Sequence, residues 1–290
     1  LTGVFGIKPS WGRVPVYPGC RDERYPGASG WESLEHIGPI TRHAADAALM
    51  LSVLAGPTPR DRHSLPSESS DWRVAAPETL RGCRIAFSAD MGHAVVDAEV
   101  RAAVEAAAVR LGEALGADVQ RTHPDIGPTQ PMFETLVAME TDRAGLAAMA
   151  ERQNVALTGW LGHLIAHPWT ADQFTAALMA RKRIVNTTWR FMQQHQFLIT
   201  PTTAAPAFAI DLAGPSQIDG QAVPPTAWLA FSALANLTGL PAASVPIGST
   251  TDGRPIGLQI MGRHLDDRGV LALAAVVEHL LPQPRWPGLP

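Results

Sequence analysis

Two cysteines in 290 residues, Cys20 and Cys83, leave this chain without a disulfide framework. Neither stands at a short metal-ligand spacing from another ligand, and a reducing, cytoplasmic setting is the expectation. Charge is scarce too: 17% of the residues are charged, the net charge is −4, and the basic residues are scattered, with no run longer than Arg181-Lys182-Arg183. Phosphate binding needs clustered Lys and Arg, which argues against nucleic acid as the main partner. Long apolar runs are also missing. The longest, around Ala47–Ala55 and Val270–Val277, fall well short of the roughly 20 residues that cross a bilayer, and no membrane partner is expected. No basic segment followed by an apolar stretch opens the chain, so no secretory signal is read at Leu1, which is itself not Met. Repeats and low-complexity tracts are absent.

What is present is apolar material for a sizeable core, at 46% of the residues. Residues Leu1–Ile40, rich in Gly and Pro, predict short extended pieces joined by turns. Thr41 reads as the N-cap of a helix running through Leu54, with Gly56 and Pro57 as its stop. Thr58–Thr79, full of Ser, Pro and Asp, reads as a surface loop. Arg84–Ser88 predicts a strand. Asp97 then caps a helix whose Val100, Val104, Ala108, Leu111 and Leu115 keep the helical period, Gly116 ends it, and Ala117–Arg121 reads as a second strand. Strand–helix–strand with short links implies a parallel pair with a right-handed crossover. Further helices are expected within Met132–Arg152 and Ala171–Gln194, a strand at Phe197–Thr200, and a helix near Trp228–Leu237. Strands at Ala242–Pro246 and Ile256–Ile260 and a helix from Asp267 to Leu281 complete the pattern, before an irregular Pro-rich tail, Pro282–Pro290. The class is α/β, a mixed, mostly parallel sheet flanked by helices on both faces.

Chemistry is harder to find from the residues alone. His163 and His167, four apart, could face one metal, but no third ligand accompanies them, and two polar residues at a helix end before Pro168 explain them better. Gly27-Ala28-Ser29-Gly30 lacks the G-x-S-x-G spacing and the preceding strand of a nucleophile elbow. Gly112 and Gly116 sit inside and at the end of a helix, not in a dinucleotide loop. Lys8, beside Pro9, is better read as a fixed turn residue than as a desolvated base.

Six segments in order carry a likeness that composition does not. Gly3-Val4-Phe5-Gly6-Ile7-Lys8-Pro9-Ser10-Trp11-Gly12-Arg13-Val14 resembles the G-x-x-G-L-K-P-T-x-G-R-V stretch of the amidase-signature family. Ser33-Leu34-Glu35-His36-Ile37-Gly38-Pro39-Ile40-Thr41-Arg42 resembles its S-L-D-x-x-G-P-[IM]-x-R element, with Glu35 for Asp, and Asp46 stands where the following helix has Asp. Ile199-Thr200-Pro201-Thr202-Thr203 is similar to its T-P-T strand end. Asn236-Leu237-Thr238-Gly239-Leu240-Pro241 with Ser244-Val245-Pro246 resembles N-L-x-G-x-P-x-x-S-V-P. Pro255-Ile256-Gly257-Leu258-Gln259-Ile260 resembles P-x-G-L-Q-I. Each segment alone is ordinary turn chemistry; their order from Gly3 to Ile260 is not.

The resemblance implies one amidase domain, of which residues 1–290 are the C-terminal portion, acting on a small-molecule or peptide-like amide. In the family a Ser nucleophile, activated by a second Ser and a Lys, forms an acyl-enzyme, and backbone N–H groups hold the oxyanion. No metal and no organic cofactor is implied, and a homodimer stays open. The departure is decisive: the family's Lys and both Ser residues precede its G-L-K-P stretch, so the triad is expected upstream of Leu1. Lys8 does not inherit the role of the catalytic Lys, and these residues by themselves are expected to be inactive. Thr202, Trp228 and Phe231 are the substrate-binding candidates. A non-catalytic scaffold is the alternative outside enzymology, and the amidase-type subunit of a glutamyl-tRNA amidotransferase the alternative within the family. Glutamine-handling members carry D-x-F-T-x-P-x-N-L before their G-L-P turn; aligned on Asn236-Leu237, Leu229 stands in place of that Asp, which speaks for a more apolar amide.

Overall fold

The computed structural model describes residues 1–16, 31–66 and 71–281. Cys20, the Gly27–Gly30 turn and the tail from Pro282 lie outside the described residues. The strand–helix–strand unit is the part most directly dictated by local sequence. The Asp97 carboxylate accepts the Glu99 and Val100 amides at the start of helix α2 (Ala98–Leu115), and Gly116 closes it at φ 57°. The predicted stripe Val100, Val104, Ala108, Leu111 and Leu115 is buried. Gly112 lies within the unbroken helix where it crosses a strand: a Cβ there would meet Val119 Cγ2 at 3.2 Å. The two flanking strands, β3 (Arg84–Phe87) and β4 (Asp118–Arg121), pair in parallel as expected, Ile85 opposite Val119.

A seven-stranded mixed sheet grows from this unit. Besides β4, β3 pairs in parallel with β5 (Phe197–Pro201). Beyond β5 the ladders turn antiparallel, because β8 (Ala242–Ser249) and β9 (Pro255–Gly262) form a hairpin. Strand β1 (Phe5–Lys8) lies antiparallel beside β8, and β2 (Ile40–Thr41) forms the edge. The spatial order is β2-β1-β8-β9-β5-β3-β4, and a separate small hairpin pairs β6 (Gln217–Ile218) with β7 (Gln221–Ala222). All five residues of β5 are buried, which requires cover on both faces. Helices α1 (Ala44–Leu54), α2 and α8 (Asp267–Leu280) pack together, α8 against β8 and β9. A second core, around Leu34, Leu136, Leu164, Ala177 and Leu237, is enclosed by α3 (Gln130–Glu140), α5 (Gly159–Ala166), α6 (Ala171–Gln194) and α7 (Ala233–Thr238).

Several boundaries differ from the sequence reading. Thr41 does not cap α1; its backbone pairs with Phe5 in β2, and the cap position is His43, without a side-chain bond. The span Met132–Arg152 holds two helices, α3 and α4 (Arg143–Gln153), because the Asp142 carboxylate accepts the Gly145 amide and starts a new helix. The helix expected near Trp228–Leu237 is a 3₁₀ turn, Ala227–Leu229, followed by α7. The Thr58–Thr79 segment is anchored rather than purely superficial: Asp61 is buried and accepts the Val16 and His63 amides, and Trp72 is 9% exposed. Lys8 is a strand residue, not a turn residue.

The turn Ser10–Arg13 is the meeting point of these parts. The Ser10 amide donates to Asp267 Oδ1 at 2.6 Å and Arg13 Nε to Oδ2 at 3.2 Å. Arg13 and Asp267 are 3% and 1% exposed. The Trp11 amide reaches Gly239 O at 3.0 Å, the Leu65 amide reaches Gly12 O at 2.9 Å, and the Gly56 amide reaches Arg13 O at 3.2 Å. Gly12, at φ 79°, has no room for a side chain, since a Cβ would meet His63 O at 2.2 Å. Next to this turn the Lys8 ammonium donates to Leu240 O at 2.6 Å and to Pro9 O at 3.2 Å. Burial pulls its pKa down to about 7 against the opposing pull of Asp267. Burial and the same Lys8 charge hold His36 down to about 3, so its ring is neutral at physiological pH.

Two outcomes follow for stability. Asp267→Asn removes the buried carboxylate charge that Arg13 and the Ser10 amide share and should cost about 3–5 kcal/mol in denaturant unfolding; a loss under 1 kcal/mol would show that the pair contributes little. Because the folded pKa of Lys8 lies below its unfolded value, the unfolded chain binds the extra proton between about 7 and 10.5, and stability rises with pH across that window. Relative to Lys8→Met, the native chain should gain up to about 1 kcal/mol per pH unit there; parallel pH profiles for the two would contradict it.

Candidate functional site

Strand register converges several sequence motifs on one end of the sheet. In β5 and β9 Pro201 lies opposite Leu258, and in β8 and β9 Pro246 lies opposite Gly257. Strand β1 runs antiparallel to β8 with Gly6 opposite Ser244, so the residues before Phe5 head toward the Pro246 end of β8. This is also where the parallel strands β3 and β5 finish, the end at which open α/β sheets bind ligands.

At that end Thr202 Oγ1 and Ser244 Oγ share a hydrogen bond of 2.8 Å, and the Thr202 amide donates to Gly257 O at 2.9 Å. Gly257 is required by this contact: a Cβ would lie 2.8 Å from Thr202 Oγ1 and 3.1 Å from Ser244 Oγ. One step deeper, Gln259 Nε2 donates at 3.1 Å to both Thr200 Oγ1 and Phe231 O. The result is a row of hydroxyls and one carboxamide on neighbouring strands, half-buried at Thr202 and fully buried at Thr200.

Ala204 joins this row to a cleft. Its amide donates to Trp228 O at 3.0 Å, and its carbonyl accepts the Asp97 amide at 2.9 Å. The loop between β3 and α2 and the turn before α7 are thus tied through one buried residue, two positions after Thr202. Between them opens a cleft of about 290 Å³, lined by His93, Ala94 and Val95 on one side and by Val223, Ala227 and Ala230 on the other. Thr129 and Gln130 border it at the start of α3. His93 Nδ1 lies 2.9 Å from Met91 O.

The three residues singled out from sequence share this region but not one role. Thr202 reaches the hydroxyl row. Trp228 sits half-buried on the cleft-forming turn, its Nε1 donating to Ala213 O at 3.2 Å and its ring edge-on to Phe208 at 5.4 Å. Phe231, 2% exposed, borders a small internal space with Thr129, Thr200 and Ala230 and is floor rather than open wall. Sequence reasoning passes over Ser244, His93 and Thr129. Ser244 lies inside a recognisable motif, but the motif carries no sign of its partner; His93 and Thr129 sit in loops without any motif. His163 and His167 close one end of α5, with ring centroids 5.8 Å apart and His167 edge-on to Trp169. Among the described residues no three metal-ligating side chains cluster, and no described helix is long and apolar enough to cross a membrane.

Behind the site a latch orders the segment before β2. Arg181 on α6 donates to Ser33 Oγ at 2.6 Å, to Ser33 O at 2.8 Å and to Leu237 O at 2.8 Å, and Glu140 at the end of α3 accepts from the Ser33 hydroxyl and amide. Asn236 Nδ2 adds a bond to Leu34 O at 3.2 Å.

Comparison with known proteins bears on the family and the fold. An acylamidase of Rhodococcus erythropolis is 32% identical over 97% of this chain and 58% of its own length. A glutamyl-tRNA(Gln) amidotransferase subunit of Thermodesulfovibrio yellowstonii is 29% identical over 97% of this chain and 60% of its own. The crystal structure of a bacterial aryl acylamidase of the amidase signature family superposes with a TM-score of 0.79 at 26% identity, covering 96% of this chain and 58% of that one. The chain thus spans about three-fifths of the length of these relatives. Residues 1–271 match the Amidase family, and the chain belongs to that family.

Proposed function

We propose that this chain is the substrate-wall portion of an amidase that cleaves carboxamides through a serine acyl-enzyme, its Lys and two Ser residues being carried by a segment that precedes Leu1. The observation that carries this reading is the shared sheet end: β1 begins where Thr202, Ser244 and Gly257 meet, so a preceding segment would be delivered to the hydroxyl row and the cleft. An amide is a poor electrophile, and its hydrolysis needs a basic nucleophile and prearranged oxyanion donors. The 290 residues supply walls and floor for such a site and, on this reading, do not hydrolyse amides by themselves. The activity belongs to a reducing, cytoplasmic compartment, and the substrate is a small-molecule or peptide-like amide.

The amidotransferase relatives raise a second reading, glutamine hydrolysis coupled to a tRNA partner. Leu229 speaks against it. It occupies the position where glutamine-handling members carry Asp, at the end of the 3₁₀ turn beside the cleft, and an alkyl side chain cannot neutralise a free α-ammonium group.

A fluorophosphonate probe, which labels only an activated hydroxyl, separates the parts of the proposal. The 290-residue chain should stay unlabelled, whereas a longer polypeptide carrying the upstream Lys and Ser residues should label stoichiometrically; labelling of the short chain at Ser10, Ser29 or another of its serines would mean that the active site lies elsewhere. In the longer polypeptide, anilides or alkyl amides should be turned over at least about a hundredfold faster than glutamine, the difference expected when a charged partner worth about 3 kcal/mol is missing. Comparable rates for glutamine would remove the Leu229 argument.

A further inference from the structure

Thr129 occupies the N-cap position of α3, yet its side chain makes no capping bond. Threonine at this position ordinarily accepts a hydrogen bond from one of the next amides. Here the residue is 6% exposed and borders both the cleft and the small internal space beneath it. Its hydroxyl has no partner among the described residues. The oxygen is not among the side-chain atoms sealed off without a partner, so it stays open to the adjoining cavity space, where a bound polar group can meet it.

We propose that the cleft between the β3–α2 loop and the turn before α7 seats the aryl or short alkyl group of a small carboxamide, and that the Thr129 hydroxyl orients it through its polar atoms. The proposal rests on the amidase reading and adds the substrate class. Size and lining decide it. Ligand pockets start near 300 Å³, and an apolar cavity of about 150 Å³ already holds benzene. At about 290 Å³ this cleft takes one ring or a short alkyl chain with its amide, not an extended peptide. Ala94, Val95, Val223, Pro224, Ala227 and Ala230 offer it short apolar side chains, so the room comes from the absence of large groups. His93 stands at the rim with Nδ1 engaged on Met91 O, leaving Nε2 without a partner among the described residues. No acidic residue lines the cleft, among the described residues, to receive an ammonium group. The peptide of Ala204 holds the two walls together, so the seat is preformed and lies next to Thr202.

The test is a titration of the 290-residue chain with 4-fluoroacetanilide, followed by fluorine NMR, with circular dichroism as a check on folding. Saturable binding in roughly the millimolar range is expected for a ligand of this size, and glutamine should not compete. Ala230→Leu and Ala94→Leu, on opposite walls, should each weaken binding at least about tenfold by filling the cleft. Thr129→Val, nearly equal in shape, should weaken it about three- to tenfold, while Thr129→Ser keeps it within about twofold. Absence of saturation, or parental affinity in both wall variants, overturns the seat; parental affinity in Thr129→Val overturns the role of the hydroxyl. Because binding is read without turnover, an inactive longer polypeptide would sink the amidase reading and leave this result standing. Conversely, anilide hydrolysis in a longer polypeptide that is indifferent to Ala230→Leu and Ala94→Leu would sink the seat and keep the amidase.

Discussion

The turn Ser10–Arg13 and its carboxylate partner Asp267 set the conditions for everything around them. Asp267 is the first residue of α8, and its side chain is spent on the Ser10 amide and on Arg13 rather than on solvent. A charge pair this deep is tolerated only when both members are bonded, so the turn has one permitted position relative to α8. From that position its amides and carbonyls reach the cap of α7, the end of α1 and the segment around Leu65. Strand β1, which leads directly into the turn, is thereby held against β8, and its start is aimed at Thr202 and Ser244. The geometry of the candidate site is inherited from a contact on the far side of β1.

Short-range order is readable from the residues alone. Asp97, the Val100–Leu115 stripe and Gly116 define α2 because cap, period and stop all lie within some twenty residues. What the residues do not disclose is non-local. Nothing near Phe5 announces that its strand sits between β2 and β8, and Ser33 gives no hint that Arg181 and Glu140 will grip it. Short polar pieces mislead for a related reason: Asp142 looks like any surface Asp inside a helical stretch, although its carboxylate starts a new helix there. Thr41 looks like a cap until its backbone is needed by a sheet edge.

The site is legible only in outline. Thr202 is reached through the T-P-T resemblance, and its partner Ser244 sits in another motif 42 residues away; the pair becomes visible only when β5, β9 and β8 are placed side by side. Trp228 and Phe231 stand out as large aromatic groups near a motif, a criterion blind to depth, and one is half-buried while the other is floor. The cleft is lined mostly by alanines, valines and two prolines, residues that draw no attention in a sequence because what matters is the volume they leave empty.

The strand order has a consequence for how the chain comes into being. Gly6 pairs with Ser244 and Lys8 with Ala242, so β1 must wait for β8 to be synthesised before its place in the sheet exists. At roughly 5–20 residues per second that delay is about ten to fifty seconds. The β3–α2–β4 unit, whose contacts are local, is able to assemble on the ribosome long before. Until then Phe5 and Ile7, both buried in the finished fold, lack the sheet neighbour of their strand. Vectorial synthesis therefore leaves β1 without its sheet partner until β8 has been made.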